Sequence, residues 1–238
     1  MLSLLRDRWR DLDIISAGIV YLMILTALVD RRLRVDPVLA LPALLGLGVF
    51  VLMPRVAVGS AYADMRLLPW IAMLALAAVA VRPGHARLAT VIAVAGLAFV
   101  GLRAGATTAS FLLYDRLHRD EARALDHLPR GAPVLSLVAR NCRWEWTTAR
   151  TEHLPALAIV RRDSFTNDQW AVDNAQLISI RQPGVGRYGR DPSHIVFPKW
   201  CRGGEGSDLD RAAAEFNRQA FDYLWTIHAP PGRCAPPI

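Results

Sequence analysis

The first half of this 238-residue sequence lacks charged side chains over four long runs. These runs cover residues 14–29, 37–54, 67–81 and 88–102, and the last can extend to 112 because only Arg103 interrupts it. A helix that spans a bilayer needs roughly 17–25 apolar residues, and arginines at its ends lengthen the span by reaching the headgroups. The third and fourth runs have no polar face, which argues against a soluble bundle. The sequence therefore predicts a four-helix transmembrane region over residues 14–114. No ionisable residue lies inside the four predicted helices' apolar cores, which argues against a transporter.

The N-terminus lacks the features of a cleavable signal peptide. Residues 1–13 alternate arginine and aspartate instead of being simply basic, and no small-residue cleavage site follows the first apolar run. Leu2, Leu5, Trp9 and Leu12 recur on one face of a helix. We interpret residues 1–13 as an amphipathic segment that rests in the membrane interface.

Lysine is almost absent, and the basic residues are unevenly distributed. Of 28 basic residues only Lys199 is a lysine, which we attribute to the base composition of the gene. Residues 1–103 hold 11 Arg against 6 Asp, while residues 104–238 hold 17 basic against 15 acidic residues. The excess positive charge belongs to arginines that flank apolar runs, and the second half has no basic stripe. The sequence therefore argues against nucleic acid as a partner.

Arginines are concentrated in two of the short loops. Residues 30–36 and 82–87 contain five arginines, whereas the loop at residues 55–66 has only one at each end. Because cytoplasmic loops carry the excess of arginine, we expect the first two loops inside and the third outside. The chain after the fourth helix is then expected in the periplasm of a bacterial inner membrane.

Cysteine is scarce, and all three cysteines lie in the second half. An oxidising compartment permits a disulfide there, and Cys142 with Cys201 is the favoured pair, because both follow predicted strands. Cys234 lies in a proline-rich tail. Three unpaired thiols remain an equal alternative.

The second half predicts a small α/β domain over residues 115–238. A helix is expected over residues 107–128, and a second helix from Ser207 to about Phe221. Short apolar runs predict buried strands. These strands are expected at residues 134–139, 156–160, 177–180 and 222–227.

Several sequence motifs that are typical of catalytic, metal-binding or nucleotide-binding sites are missing or incomplete. The histidines do not cluster at metal-ligand spacing, no G-x-S-x-G is present, and no metal is expected. "GVGRYG" at residues 184–189 matches G-x-G-x-x-G, but no strand directly precedes it and Pro192 follows it, so a surface loop is expected. Five tryptophans of the second half are expected mainly in the core or as interface anchors, with sugar stacking as the alternative. "GLRAG" at residues 101–105 is a weak pattern for seating a neighbouring helix.

The outward loop carries the strongest functional candidates. Arg66 precedes the third apolar run, where the positive end of a helix dipole and a guanidinium both suit a lipid phosphate. Asp64 is expected to hold Arg66 in place or to bind a sugar hydroxyl. On position alone, an ordinary interfacial arginine with an acidic partner is the alternative.

Three stretches of the chain resemble one family. "YADMRLLPWIAML", "EHLPALAIVRRDSFTNDQW" and "FDYLWTI" are similar to segments of GT-C type glycosyltransferases, polytopic bacterial enzymes that use polyprenyl-phosphate sugars. The resemblance implies that Arg66 contacts the carrier phosphate. It also implies an outward catalytic acid in a first loop that this sequence lacks, and many more helices than four. We therefore expect a C-terminal portion or a shortened relative of such an enzyme, with membrane lipids, a polyprenyl-phosphate sugar and additional helices or a partner chain as its partners.

A second reading involves no catalysis. The helices would then serve as an anchor, and the periplasmic domain would bind a glycan or a protein. No cofactor is expected in either case, apart from the carrier-linked sugar as a donor substrate.

Overall fold

A computed structural model describes residues 4–54, 56–57, 60–61, 64–141, 146–172, 176–198 and 207–228. Over these residues the protein is a mixture of helices and sheets. The helices are α1 Arg10–Val29, α2 Pro37–Leu52, α3 Leu68–Ala77, α4 Ala86–Ala122, α5 Leu157–Arg162 and α6 Leu209–Glu215. The strands are β1 Leu33–Val35, β2 Val56–Ala57, β3 Ser60–Ala61, β4 Val79–Val81, β5 Val134–Ala139, β6 Ile195–Phe197, β7 Ser207–Asp208 and β8 Tyr223–Ile227.

The chain divides into two compact units. Unit 1 consists of Met1–Phe111 with Trp146–Thr148, and unit 2 of Leu112–Glu145 with Ala149–Ile238. Helices α1 to α3 belong to unit 1, whereas the parallel sheet described below belongs to unit 2.

Two helices are long and apolar enough to cross a membrane, judged by length and composition. They are α1 and α4, the second of which continues through a 3-10 turn at Arg123–His127. The predicted helices at 88–112 and 107–128 are thus one continuous helix. No residue in the apolar window of α4 is buried, and Val91, Val94, Leu97 and Val100 are exposed at successive three-residue steps. An exposed apolar stripe of this kind is typical of helices that contact lipid or another protein.

The two helices between them are shorter than predicted. Asp36 begins α2, because its side chain accepts a hydrogen bond from the Val38 amide at 2.9 Å and Pro37 suits the first helical turn. Helix α3 contains 10 residues and ends at Ala77, inside the predicted helix 67–81. The residues that follow form β4 instead.

Strands β1 and β4 bring the two arginine-rich loops together in unit 1. They pair antiparallel, with Leu33 opposite Val81. Arg82 extends the pairing, because its amide and its Nε donate to the Arg32 and Leu33 carbonyls at 2.9 and 3.1 Å. The alternating β-branched residues Val79 and Val81 favour a strand over a further helical turn.

A four-stranded sheet forms the centre of unit 2. Its order is β7–β6–β5–β8, and every neighbouring pair is parallel. Strand β5 lies inside the sheet, and residues 134–138 are each at most 1% exposed. The predicted strand at 134–139 is confirmed, as is a strand within 222–227.

Both faces of β5 are covered. Val134 and Val138 pack in one apolar cluster with Leu125, Ala158 and Ile227. Leu135 and Leu137 face the opposite cluster, whose other members include Tyr188, Val196, Leu209, Ala212 and Phe221. A strand buried on both faces has a continuous apolar sequence, which explains why this strand was predictable.

Three predictions for unit 2 are wrong. Residues 157–162 form α5 instead of a strand, because a short apolar run fits a helix equally well and a 3-10 turn at Leu154–Ala156 leads directly into it. Residues 177–180 form no strand, and Leu177 is fully exposed. The last helix begins after Asp208, whose side chain accepts from the Asp210 amide, and it ends at Glu215 rather than near Phe221.

The glycine motif does not lie between a strand and a helix, as a dinucleotide-binding loop does. Gly186–Gly189 form a 3-10 turn, preceded and followed by irregular chain. The expected surface position is wrong for Tyr188, which is buried and donates its hydroxyl to the Ala212 carbonyl at 3.1 Å. Gly184 has a φ of +74°, and a Cβ there would lie 2.8 Å from Asn217 Nδ2.

We expect Leu137→Ala to lower the free energy of unfolding of unit 2 by about 2–5 kcal/mol, because it leaves a cavity against β5. Leu177→Ala is the matched control, since the same change at an exposed leucine removes no packing. Denaturant unfolding of the detergent-solubilised chain, followed by near-ultraviolet circular dichroism, measures both. Equal losses would contradict the assigned core.

Candidate functional site

Arg66 lies on a 3-10 turn directly before α3. The turn comprises Asp64–Arg66, and the Arg66 side chain is exposed while Leu68 is buried. Pro69 occupies the first turn of α3. The side chain of Asp64 lies outside the described residues, so its predicted contact with Arg66 stays a prediction.

The predicted disulfide also stays a prediction. Cys142 and Cys201 both lie outside the described residues, and so does Cys234. Of the five tryptophans considered above, Trp144 and Trp200 lie outside them as well.

A buried carboxylate lies at the start of α1. Asp13 is fully buried and receives three hydrogen bonds. Arg103 Nη1 donates to Oδ1 at 2.6 Å, while Trp146 Nε1 and the Asp7 amide each donate to Oδ2 at 2.8 Å. Arg103 also donates from Nη2 to the Leu5 carbonyl at 2.7 Å. The negative charge is thus compensated, and both carboxylate oxygens accept hydrogen bonds.

This network joins residues whose contact the sequence did not predict. Asp13 lies in the first turn of α1, just before the predicted span 14–29, and Arg103 lies in α4, directly after the uncharged run 88–102. Asp7 is buried and its carbonyl accepts from the Thr148 amide at 2.9 Å, while the interfacial position of residues 1–13 stays a prediction. At Gly101 and Gly105 of the "GLRAG" pattern, a Cβ would meet no described neighbour within 4 Å.

We expect Asp13→Ala to destabilise unit 1 by about 3–5 kcal/mol, because it leaves Arg103 mostly buried without its counter-charge. Asp11→Ala is the matched control, since Asp11 lies on the same helical turn and is exposed. Thermal unfolding in detergent measures the difference. Similar midpoints for the two variants would show that the network does not hold unit 1 together.

A second polar cluster lies in unit 2 and consists of His153, Asp168 and His194. One donor atom from each residue lies within 4.8 Å of the others. His153 Nδ1 is 2.9 Å from Asp168 Oδ1, and His194 Nε2 is 3.5 Å from the same oxygen. The Ala156 amide donates to Asp168 Oδ2 at 3.1 Å and so fixes the carboxylate.

Hydrogen bonds to β5 place the acid of this cluster. The amide of Ser136 donates to Asn167 Oδ1 at 2.7 Å, and the hydroxyls of Ser136 and Thr166 are 2.9 Å apart. All three residues are buried. His194 immediately precedes β6, and its carbonyl accepts from the Val138 amide at 2.7 Å. Both sides of the cluster are thereby attached to the central strand.

His194 is fully buried, yet neither ring nitrogen has a hydrogen-bond partner among the described residues. Its Nδ1 lies 3.8 Å from Asp191 Oδ1, a buried oxygen that also lacks one. Burial lowers the pKa of His194, opposed by the charge of Asp168 and assisted by His153. Burial likewise raises the pKa of Asp191, with His153 acting against this shift and Asp168 with it. The neutral imidazole is therefore the favoured form, and this is the form that binds metals.

The cluster opens to solvent at one side. The His153 side chain is 53% exposed, and its ring lies 5.8 Å from that of Trp170, which is itself 48% exposed. Trp225, by contrast, is in the core. A molecule in solution can therefore reach His153 and Trp170 but not His194 directly.

The expectation that the histidines do not cluster is wrong for one pair. The rings of His153 and His194 are 5.4 Å apart although the residues are 41 positions apart in sequence. No local spacing could have revealed this, because the proximity depends on β6 lying next to β5. The prediction that no metal binds stays untested by this geometry.

No protein-family model matches the chain, and neither a curated protein nor a solved structure is significantly similar to it. The protein can therefore be classified only from its own sequence and fold. It is a protein with two candidate membrane-spanning helices in its first half and a parallel α/β layer in its second.

Proposed function

We propose that this chain is the carrier-recognising part of a GT-C type membrane glycosyltransferase. In such a reaction, an acceptor hydroxyl attacks the anomeric carbon of a polyprenyl-phosphate sugar, and the bond from that carbon to the phosphate oxygen breaks. The proposal assigns Arg66 to the leaving phosphate. It assigns the acidic group that accepts the hydroxyl proton to no residue of this chain.

The observation that carries the proposal is the exposed Arg66 at the beginning of α3. A cation at the positive end of a helix is unfavourable unless an anion lies there too. A phosphate at this position is attracted by the guanidinium and by the helix end together. The proposal thus gives a physical role to an arginine that would otherwise oppose the helix dipole.

The proposal includes a four-helix membrane region with unit 2 in the periplasm. Helix α3 has 10 residues and is about 15 Å long at 1.5 Å per residue, roughly half of a bilayer core, so the four-helix region rests on the apolar runs of the sequence. The pairing of β1 with β4 brings two loops rich in arginine to the same end of unit 1. This adjacency supports placing both loops on the cytoplasmic side.

We expect Arg66→Ala to weaken binding of undecaprenyl phosphate by roughly 10- to 100-fold, the loss of a charge-assisted hydrogen bond of about 1.5–3 kcal/mol. Arg66→Lys is expected to recover part of the affinity, since lysine keeps the charge but not the planar pair of donors. Native mass spectrometry of the chain in lipid nanodiscs measures this binding.

Arg87→Ala is the matched control, because Arg87 is likewise an exposed arginine at the beginning of a helix, in the first turn of α4. Its affinity for the carrier should equal that of the unaltered chain. If Arg66→Ala binds as well as Arg87→Ala does, Arg66 is an interfacial anchor and the proposal fails.

A second candidate function is that of a membrane-anchored glycan-binding module. The half-exposed Trp170 beside His153 favours it, because an exposed indole face stacks well on a sugar ring. This reading requires no lipid phosphate and no reaction.

For this second candidate, Trp170→Ala should raise the Kd for a bacterial oligosaccharide about tenfold, or about 1.4 kcal/mol. Trp70→Ala is the control, because Trp70 is an exposed tryptophan of α3. Titration of the detergent-solubilised chain by isothermal calorimetry compares them. Sugar binding that depends on Trp70 and not on Trp170 would remove the second candidate.

A further inference from the structure

We propose that His153, Asp168 and His194 bind a divalent transition-metal ion of the zinc type. Two imidazole nitrogens and one carboxylate oxygen form the donor set of many catalytic zinc sites. This centre lies wholly within unit 2 and does not depend on the proposed role of Arg66.

The distances fit such an ion after small side-chain adjustments. Zinc holds nitrogen and oxygen ligands at about 2.0–2.2 Å, which places neighbouring donors roughly 3–4 Å apart. The two donor pairs that share Asp168 Oδ1 are separated by 2.9 and 3.5 Å, and all three donors lie within 4.8 Å. The ion would replace the hydrogen bond between His153 Nδ1 and Asp168, leaving the His153 proton on Nε2.

The state of His194 is the independent observation that indicates a ligand. A buried polar atom without a partner is costly, and most such atoms in folded proteins have one. Both nitrogens of His194 and Oδ1 of Asp191 are buried without a hydrogen bond among the described residues. An ion on Nε2 would satisfy one nitrogen. The Nδ1 proton could then be donated to Asp191 after the 3.8 Å separation closes slightly.

Such an arrangement is the usual surrounding of a metal-bound histidine. The second nitrogen commonly donates to a carboxylate, which orients the ring and raises its basicity. Asp168 is oriented in a similar way by the Ala156 amide. Each buried ligand therefore has an orienting group, which is Asp191 for His194 and the Ala156 amide for Asp168.

The exposed side of the cluster supplies access and a free position. His153 is half in solvent, so an ion can enter past its ring. Three protein ligands leave a fourth position to water, which is the pattern of catalytic rather than structural zinc. The half-exposed Trp170 lies beside the His153 ring on this side, with 5.8 Å between the ring centroids.

The test is metal binding by the full chain, purified in detergent without a histidine tag and stripped with a chelator. We expect one equivalent of Zn²⁺, measured by competition with a chromophoric chelator and by elemental mass spectrometry. Co²⁺ should give the visible absorption bands of a four-coordinate site. Absence of stoichiometric binding in the unaltered chain at micromolar zinc would overturn the proposal.

Variants locate the ion. His153→Ala should weaken Zn²⁺ binding by at least tenfold and still fold, because half of this side chain is in solvent. Asp168→Asn should weaken Zn²⁺ binding similarly, because a neutral amide replaces the charged carboxylate ligand. The variant should still fold, since the amide oxygen can accept the hydrogen bond from the Ala156 amide. Asp191→Asn should weaken binding by about 10- to 100-fold without contacting the ion. Affinity unchanged in both His153→Ala and Asp168→Asn would place the metal elsewhere and refute the site.

His127→Ala is the matched control, because His127 is an exposed histidine of the same unit and should leave affinity unchanged. Zn²⁺ should also raise the unfolding midpoint of the unaltered chain and not that of His153→Ala, because only the folded site binds the ion. Arg66→Ala should bind Zn²⁺ normally. Failure of the metal centre and failure of the carrier proposal are therefore separate results.

Discussion

The buried hydroxyl of Ser136 is the constraint on which the second half of the structure depends. It lies in the middle of β5, where every other side chain of the strand itself is apolar. A buried polar group must find a partner, and the Ser136 hydroxyl pairs with that of Thr166 while the Ser136 amide donates to Asn167 Oδ1. These bonds attach the segment before Asp168 to the central strand. The acid is thus positioned by the core of the sheet and not by a loose loop.

The same strand determines where His194 lies. The backbone of this residue bonds to Val138, and the register pairs Val138 with Ile195. The side chains of Val134 and Leu137 pack the two faces of the strand against helices and turns. A rigid, doubly covered strand therefore supports both the acid and the buried histidine. Sites built on such elements hold their geometry better than sites on exposed loops.

Unit 1 handles its buried charge differently. Asp13 and Arg103 neutralise each other, and both oxygens of the Asp13 carboxylate accept short hydrogen bonds. The unit 2 cluster has one acid for two histidines, and both nitrogens of His194 are buried without a hydrogen bond within the described part of the chain. The first arrangement is therefore structural, while the second offers the donor atoms that the proposed metal centre requires. Arg66 is a third kind of charged group, an exposed cation just before the N-terminus of α3.

The sequence by itself determined the apolar helices, the strand at 134–139 and the strand ending at Ile227, because long uncharged runs and doubly buried strands leave a local signal. It misassigned residues 157–162, since a short apolar run fits a helix or a strand equally well. The place of Arg66 before an apolar run also made it the candidate for lipid-phosphate binding, which stays a prediction. Only the tertiary structure decided that β1 pairs with β4, that Asp13 meets Arg103 and that His153 meets His194. Each of these contacts joins residues at least 41 positions apart, and proximity of that kind arises from packing and strand order, which no local pattern encodes.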